Sequence, residues 1–324
     1  MIKRFSLCMC ATAAALTLTA CGMHSAPPAP SPQGALRYEK PMDVWGGPAG
    51  LQLNVLLGDA APDLGGRKLK KLDLGIREID AIADDGTATL IASFDKPRIV
   101  DVLAHQDDSG ESVANASVAR SDYRQLRLVV DLASSEAVFR DNKTAPLNFL
   151  VNVGSVSSAG AGSTTATTTD GPGAVDIVVT QPFSIPQDHM QAARVDFNAF
   201  ESLALDASGS LFTRASLFVA PVDQMGRVSG RVLNAQGGAV SDATVVAVAA
   251  DGSIGNSSPT NDKGHFSIGT LRAGTYQLVI YNHYTTAAGR EVTASGESTS
   301  APTVLGPQVT VSHGSATSAG SIAE

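Results

Sequence analysis

From Leu51 onward, apolar and polar residues alternate with a period of two along most of this chain, and no stretch sustains the 3.6-residue period of an amphipathic helix. In KLDLGIREID (71–80), Leu72, Leu74 and Ile76 share one face, and Asp73 and Arg77 the other. YRQLRLVVD (123–131) sets Leu126, Leu128 and Val130 against Gln125 and Arg127 in the same way. Similar runs at 51–59, 89–94, 98–104, 145–153, 174–180, 193–200 and 215–222 are separated by Gly, Asp and Pro. About nine short strands spaced in this way predict an antiparallel sandwich or barrel-like domain over residues 48–222. Segment 111–120, ESVANASVAR, reads as a short helix or an ordered loop. The low-complexity run GSVSSAGAGSTTATTTDGPG (154–173) is expected to be a mobile insertion between strands.

The texture changes at Val222–Gly226, where Gly-rich turns begin to punctuate the strands. KGHFSIGTLRAGTYQLVIYN gives turn, strand, turn, strand, with Phe266 and Ile268 on one face and Tyr276, Leu278 and Ile280 on one face of the next strand. GPQVTVSHG (306–314) supplies a last strand, so residues 226–313 predict a small β-sandwich, and the Ser/Ala tail 314–324 is expected to be disordered. The expected fold class is therefore all-β: two antiparallel β-sandwich domains in tandem.

Ahead of them, Met1–Arg4 is a basic n-region, Phe5 to Leu18 an apolar h-region, and Thr19-Ala20 the small residues before Cys21, so residues 1–20 read as a signal peptide cleaved between Ala20 and Cys21. The apolar run is too short to span a bilayer comfortably. Leu18-Thr19-Ala20-Cys21 resembles the bacterial lipobox, which implies that Cys21 carries lipid after cleavage. Each buried CH₂ of such a chain contributes ~0.8 kcal/mol, so several acyl chains hold a domain firmly. Of the three cysteines, Cys8 and Cys10 leave with the signal; a lone remaining thiol fits an attachment point and excludes an intrachain disulfide. Gly22, where an aspartate is associated with inner-membrane retention, implies sorting to the outer membrane. Residues 21–47 are expected to form a flexible tether, with the Pro/Ser/Ala-rich HSAPPAPSPQG at its centre.

The second domain's motifs carry a resemblance. Gly230–Val232, the run at 238–245, Asp262–Phe266 and Leu271–Tyr276 together resemble the carboxypeptidase regulatory-like domain, which implies a transthyretin-like sandwich grouped with carbohydrate-binding-like folds. These motifs mark a fold rather than a reaction: Gly264 and Gly274 are expected in turn conformations closed to other residues, and Phe266 and Tyr276 in the core. LGDAAPD (57–63), DYRQLRLVVDLASSEAVF (122–139), VDFNAFESLAL and RASLFVAPV are similar to the DUF4382 family of bacterial lipoprotein domains. The turn departs from that pattern by an extra alanine, Asp59-Ala60-Ala61-Pro62, and the family implies location and architecture without an assigned chemistry.

The residues themselves offer little catalytic signal. The net charge of −8 argues against nucleic acid, which is bound through Lys and Arg clusters. Six histidines (His24, His105, His189, His265, His283, His313) stand apart at spacings unlike a zinc site. There is no G-x-S-x-G elbow, phosphate loop or cofactor fingerprint, so no cofactor, metal or catalytic residue is expected. Asp107, Asp108 and Glu111 form an acidic turn without calcium-loop spacing, and Asp59 suits a turn-capping role. His265 should face outward. The most suggestive polar-aromatic group is Tyr281, His283 and Tyr284, a candidate ligand surface if these side chains are not simply packed. The leading expectation is a non-enzymatic lipoprotein, held at the outer membrane by its lipid and acting in binding, adhesion or envelope assembly, with a glycan or an envelope protein as its ligand. Its alternatives are a hydrolase or enzyme accessory with a dispersed site, and a structural spacer.

Overall fold

Side-chain alternation becomes sheet faces in a computed structural model that describes residues 37–39, 51–58, 63–64, 67–104, 111–118, 120–152, 156–158, 162–169, 173–185, 190–198, 202–205, 211–213, 215–281 and 304–323. The first domain opens with β1 (Arg37–Glu39), β2 (Leu51–Gly58), β3 (Asp63–Leu64), β4 (Arg67–Ile82), β5 (Thr87–Asp101), β6 (Glu111–Val118), β7 (Asp122–Phe139) and β8 (Thr144–Pro146). It continues with β9 (Asn148–Phe149), β10 (Val156–Ser158), β11 (Gly162–Thr168), β12 (Ala174–Ser184), β13 (Met190–Phe197), β14 (Leu203–Leu205), β15 (Leu211–Thr213) and β16 (Leu217–Pro221). A 3-10 turn, Val222–Gln224, leads into β17 (Met225–Leu233), β18 (Thr244–Ala249), β19 (Ile254–Pro259), β20 (His265–Arg272), β21 (Gly274–Tyr281), β22 (Val304–Val311) and β23 (Ala316–Ala323).

The chain is all-β, as its patterning predicts. In the first domain a large sheet of order β1-β5-β4-β7-β12-β11-β10 shares one core with a sheet of order β16-β13-β2-β6. Leu72, Leu74 and Ile76 of β4 and Leu126, Leu128 and Val130 of β7 face this core from one side, and Val55, Val195 and Val219 from the other. The sheets are not purely antiparallel: β1 runs parallel to β5, β2 to β13 and β9 to β15. Strands far apart in sequence need no tight hairpin, so either direction is open to them.

Parity along β4 changes between Leu69 and Leu72 and again between Ile76 and Ile79. At the second change a register shift falls between Ile76 and Glu78 against both neighbouring strands; against β7, Arg77 is the extra residue of a β-bulge, whereas against β5 the extra residues belong to β5. Beyond it Ile79 and Ala81 take over the core positions, which turns Glu78 and Asp80 onto the outer face. Nearby, β7 crowds β4: a Cβ on Gly75 would lie 2.7 Å from Ser134 Cβ, so only glycine fits without a shift.

Several expectations are corrected. Segment 111–118 is strand β6, paired with β2. The run 154–173 contains the β10–β11 hairpin, and β11 extends the large sheet beside β12. Its composition hid a specific contact: Thr164 Oγ1 accepts from Leu217 N–H at 3.1 Å and donates to Leu217 O at 2.9 Å, stapling the large sheet to β16. Gln181 of β12 repeats the device by accepting from Val219 N–H at 2.8 Å. Within the expected tether, Arg37–Glu39 pair with Thr87–Thr89, so the first domain recruits residues before 48.

In the second domain, β20-β17-β23 packs on β19-β18-β21-β22, and Phe266, Ile268, Tyr276, Leu278 and Ile280 fill the core between them as expected. Gly264 has the positive φ of its turn, 75°. Gly274 does not, and a Cβ built there would meet the Tyr276 ring at 3.6 Å, an ordinary contact, so this position does not require glycine. The tail 314–324 is not disordered over its described part. Residues 316–323 form β23, parallel to β17, and Ile322 enters the core at 5% exposure. Small Ser and Ala side chains concealed a strand that is held by backbone pairing.

The two domains pack on one another within a single compact unit. On the outer face of β13, Asp196 accepts a hydrogen bond from Asn256 Nδ2 of β19, which also donates to Gly269 O at 3.2 Å. Arg194, 3% exposed, lies 3.7 Å from the Asp196 carboxylate. Arg272 of β20 places its guanidinium 5.1 Å from the centre of the Phe218 ring and donates to Val219 O at 3.3 Å. Phe218, Ala220 and Met225 complete a small apolar cluster at the junction.

Three mutational outcomes follow in urea denaturation. Ile322→Ala should cost about 2–5 kcal/mol, a core-cavity penalty that a disordered tail could not produce. Asp196→Ala should cost about 3–5 kcal/mol, because it leaves Arg194 buried without its counter-charge. Asn256→Ala should cost about 1–3 kcal/mol. Equal or reversed costs for the two junction variants would mean that the ion pair does not hold the interface.

Candidate functional site

Two places gather polar chemistry. The first is the outer face of the large sheet, where the β4 bulge brings Glu78 and Asp80 beside Arg127 of β7 and Asp176 of β12. Arg127 Nη1 donates to Glu78 Oε1 at 2.8 Å and to Asp80 Oδ2 at 2.6 Å, and Nη2 donates to Asp176 Oδ1 at 3.1 Å. Burial works against the Arg127 charge, but Asp176 and Asp80 outweigh it and hold the guanidinium's pKa above its ordinary value. Asp80 is fully enclosed. Burial first, and the neighbouring Glu78 charge second, push its carboxyl up to about 7 against the pull of Arg127. Next to this cluster Arg77 pairs with Asp131. Burial there would raise the Asp131 carboxyl, but hydrogen bonds from Ser134 and Arg77 overcome it and set the pKa below the usual value.

A shifted carboxyl beside a second carboxylate is the pattern of a general acid and base. Here the shifted member has no exposed surface, so a substrate has no access to it. Among the described residues no group of three His, Cys, Asp or Glu side chains is placed to hold a metal ion.

The second place is a cleft of about 490 Å³ at the end of the second sandwich nearest the domain boundary. The boundary turn gives it Gln224, the β18–β19 turn Asp251, and the start of β21 Thr275 and Tyr276, while Arg272 and His313 complete its polar lining. His313 Nδ1 lies 2.9 Å from Gln224 O, which fixes the ring against the boundary turn. Asp251 is held by Ser253 through a side-chain contact of 2.5 Å and a backbone N–H at 3.0 Å, and these bonds lower its pKa. Burial lowers the Arg272 pKa. The Tyr276 ring is sealed at 3% exposure and its hydroxyl donates to Arg272 O at 3.1 Å, so it offers no stacking face.

The sequence-derived candidates fall elsewhere. Tyr281 ends β21 at the pole opposite the cleft, half-buried, and His283 and Tyr284 lie outside the described residues. Ala20, Cys21, His24, Asp59, His105, Asp107, Asp108 and His189 lie outside them too. Glu111 is described, and it pairs with Arg98 at 3.2 Å. His265 is exposed, as expected. Sequence reasoning missed Arg272 and His313, which are brought together only by the sandwich. It also missed Glu78 and Asp80, although the parity break in LGIREIDAI was a readable signal.

Residues 52–212 match the family model of a domain of unknown function, DUF4382. Residues 227–305 match that of the carboxypeptidase regulatory-like domain. No curated protein matches this chain. Among solved structures, the Bacillus anthracis TIE protein is 9% identical with a TM-score of 0.22, over 83% of this chain and 39% of that one. This chain thus spans well under half of that protein's length. BcpA, the major pilin subunit of Bacillus cereus, is 9% identical with a TM-score of 0.22, over 84% of this chain and 99% of that one. The shaft pilin SpaA of Lactobacillus rhamnosus GG is 12% identical with a TM-score of 0.21, over 84% and 95%. Likeness this remote carries no functional argument. What the family matches do show is that this chain carries a DUF4382 region followed by a carboxypeptidase regulatory-like domain, in the order its motifs predict.

Proposed function

We propose that this chain is a lipid-anchored, non-enzymatic binding module of the bacterial envelope, and that it takes hydroxyl-rich glycan groups in the cleft beside the domain boundary. The observation that carries the reading is the cleft itself: a hollow of sugar-sized volume into which Gln224, Asp251, Thr275 and His313 bring polar groups, braced by Arg272 across the junction. Gln224, Asp251, Thr275 and His313 set donors and acceptors among alanine and glycine surface, a mixture that suits a sugar, which offers both hydroxyls and an apolar ring face. The sealed Asp80 supports binding over hydrolysis. The lipobox-like residues before Cys21 support the anchor, and the Pro-rich segment after it supports a tether that gives the domains reach.

Two measurements test this reading. In fractionated cells, the wild-type chain should sediment with outer membranes, and Cys21→Ala should move to the soluble fraction; a variant that still sediments would overturn lipid anchoring. On an array of envelope glycans, the soluble portion should be retained by at least one glycan, and Asp251→Ala combined with His313→Ala should weaken that retention about tenfold or more, the scale of one or two lost hydrogen bonds. Undiminished retention by the double variant would remove the cleft from the proposal. Absence of any retained glycan, together with cross-linking to an envelope protein, would replace the ligand class.

A further inference from the structure

We propose that Glu78 and Asp80 share one proton and act with Arg127 as a pH-responsive clasp across β4, β7 and β12, tight in mild acid and loosened in mild alkali. The geometry carries this in three steps. Arg127 Nη1 reaches both Glu78 Oε1 and Asp80 Oδ2, so the two carboxyls lie side by side on one donor. Asp80 is 0% exposed and its second oxygen, Oδ1, has no hydrogen-bond partner, a costly state for a buried carboxylate oxygen. Three carboxylates converge on one guanidinium, so full ionisation leaves two uncompensated negative charges in a cluster whose arginine side chain is only 15% exposed.

A proton on Asp80 removes one of those charges and turns the orphaned oxygen into a donor, for which Glu78 is the adjacent acceptor. The groups that face Asp80 are Glu78 on its own strand and Arg127 on β7, with Asp176 of β12 acting through Arg127. On the other side, β5 opposes Asp80 with Leu90, which does not titrate. The carboxyl's upward shift to about 7, with burial as its main cause, agrees with this geometry. The sign follows from linkage. The ordinary value is 3.8, so between about pH 4 and 7 the folded chain holds a proton that the unfolded chain has released. Folding stability is therefore greatest at the acid end of that window, falls as pH rises through it, and levels off above about 7. The released proton passes to bulk water.

The test is denaturation of the whole mature chain between pH 5 and pH 9, comparing wild type with Asp80→Asn. The wild-type folding constant should fall by up to about tenfold per pH unit between 5 and 7 relative to the variant, and the two profiles should run parallel above 7. Should Asp80→Asn fail to fold, wild-type infrared spectra decide alone. A protonated-carboxyl stretch should persist at pH 6, where exposed carboxyls are ionised, and vanish with a midpoint near 7. Parallel profiles across the whole range, or no such stretch at pH 6, would overturn the proposal.

Discussion

Arg127 lies where three carboxylates converge, and the outer face of the large sheet is organised around its charge. That convergence depends on one extra residue in β4. Without the bulge at Arg77, the period of two would have sent Glu78 and Asp80 into the core in place of Ile79 and Ala81. The same irregularity thus protects the core and concentrates charge, binding the central strands through their side chains as well as their backbones. An arrangement of this kind contributes less to net stability than its contacts suggest, because desolvation offsets most of the Coulomb attraction. Its effect is to make the sheet's register specific, since a slip in any one strand would strand a buried charge.

The junction between the domains follows the same logic with different groups. Asp196, Arg194 and Asn256 are all nearly sealed, and the Arg272 guanidinium reaches from β20 to the Phe218 ring and the Val219 carbonyl. An interface built only from the Phe218, Ala220 and Met225 cluster would tolerate sliding. Buried polar groups that need their partners do not, and they fix one relative orientation. The cleft owes its shape to that fixed orientation, since one of its walls is the boundary turn and another is the arginine that crosses the boundary.

The fold was legible in the sequence wherever one face of a strand is buried and the other wet. Leu126, Leu128 and Val130 announced β7, and Phe266 and Ile268 announced β20, because alternation records burial directly. Legibility failed where backbone pairing or a single hydroxyl carries the structure. β23 has one large apolar residue, Ile322, and Thr164 in β11 acts through two hydrogen bonds that no periodicity encodes. The candidate site failed for a different reason. Arg272 ends β20 and His313 lies in the turn between β22 and β23, so only the packed sandwich brings them to one cleft, and the Asp80 environment arises from a register shift against two partners at once.

The parallel pairing of β17 with β23 has a consequence for how the chain is made. β17 opens the second domain, and its partner is separated from it by the whole of that domain. A polypeptide threaded outward from its N-terminus exposes β17 early and must keep that edge open until Ala323 has emerged. The large sheet ahead of it, with β4, β5 and β7 close in sequence, meets no such delay. As the chain emerges, then, the first domain can close while the second is still an unfinished sheet, and the buried groups of β13 wait in water for the surface that will cover them.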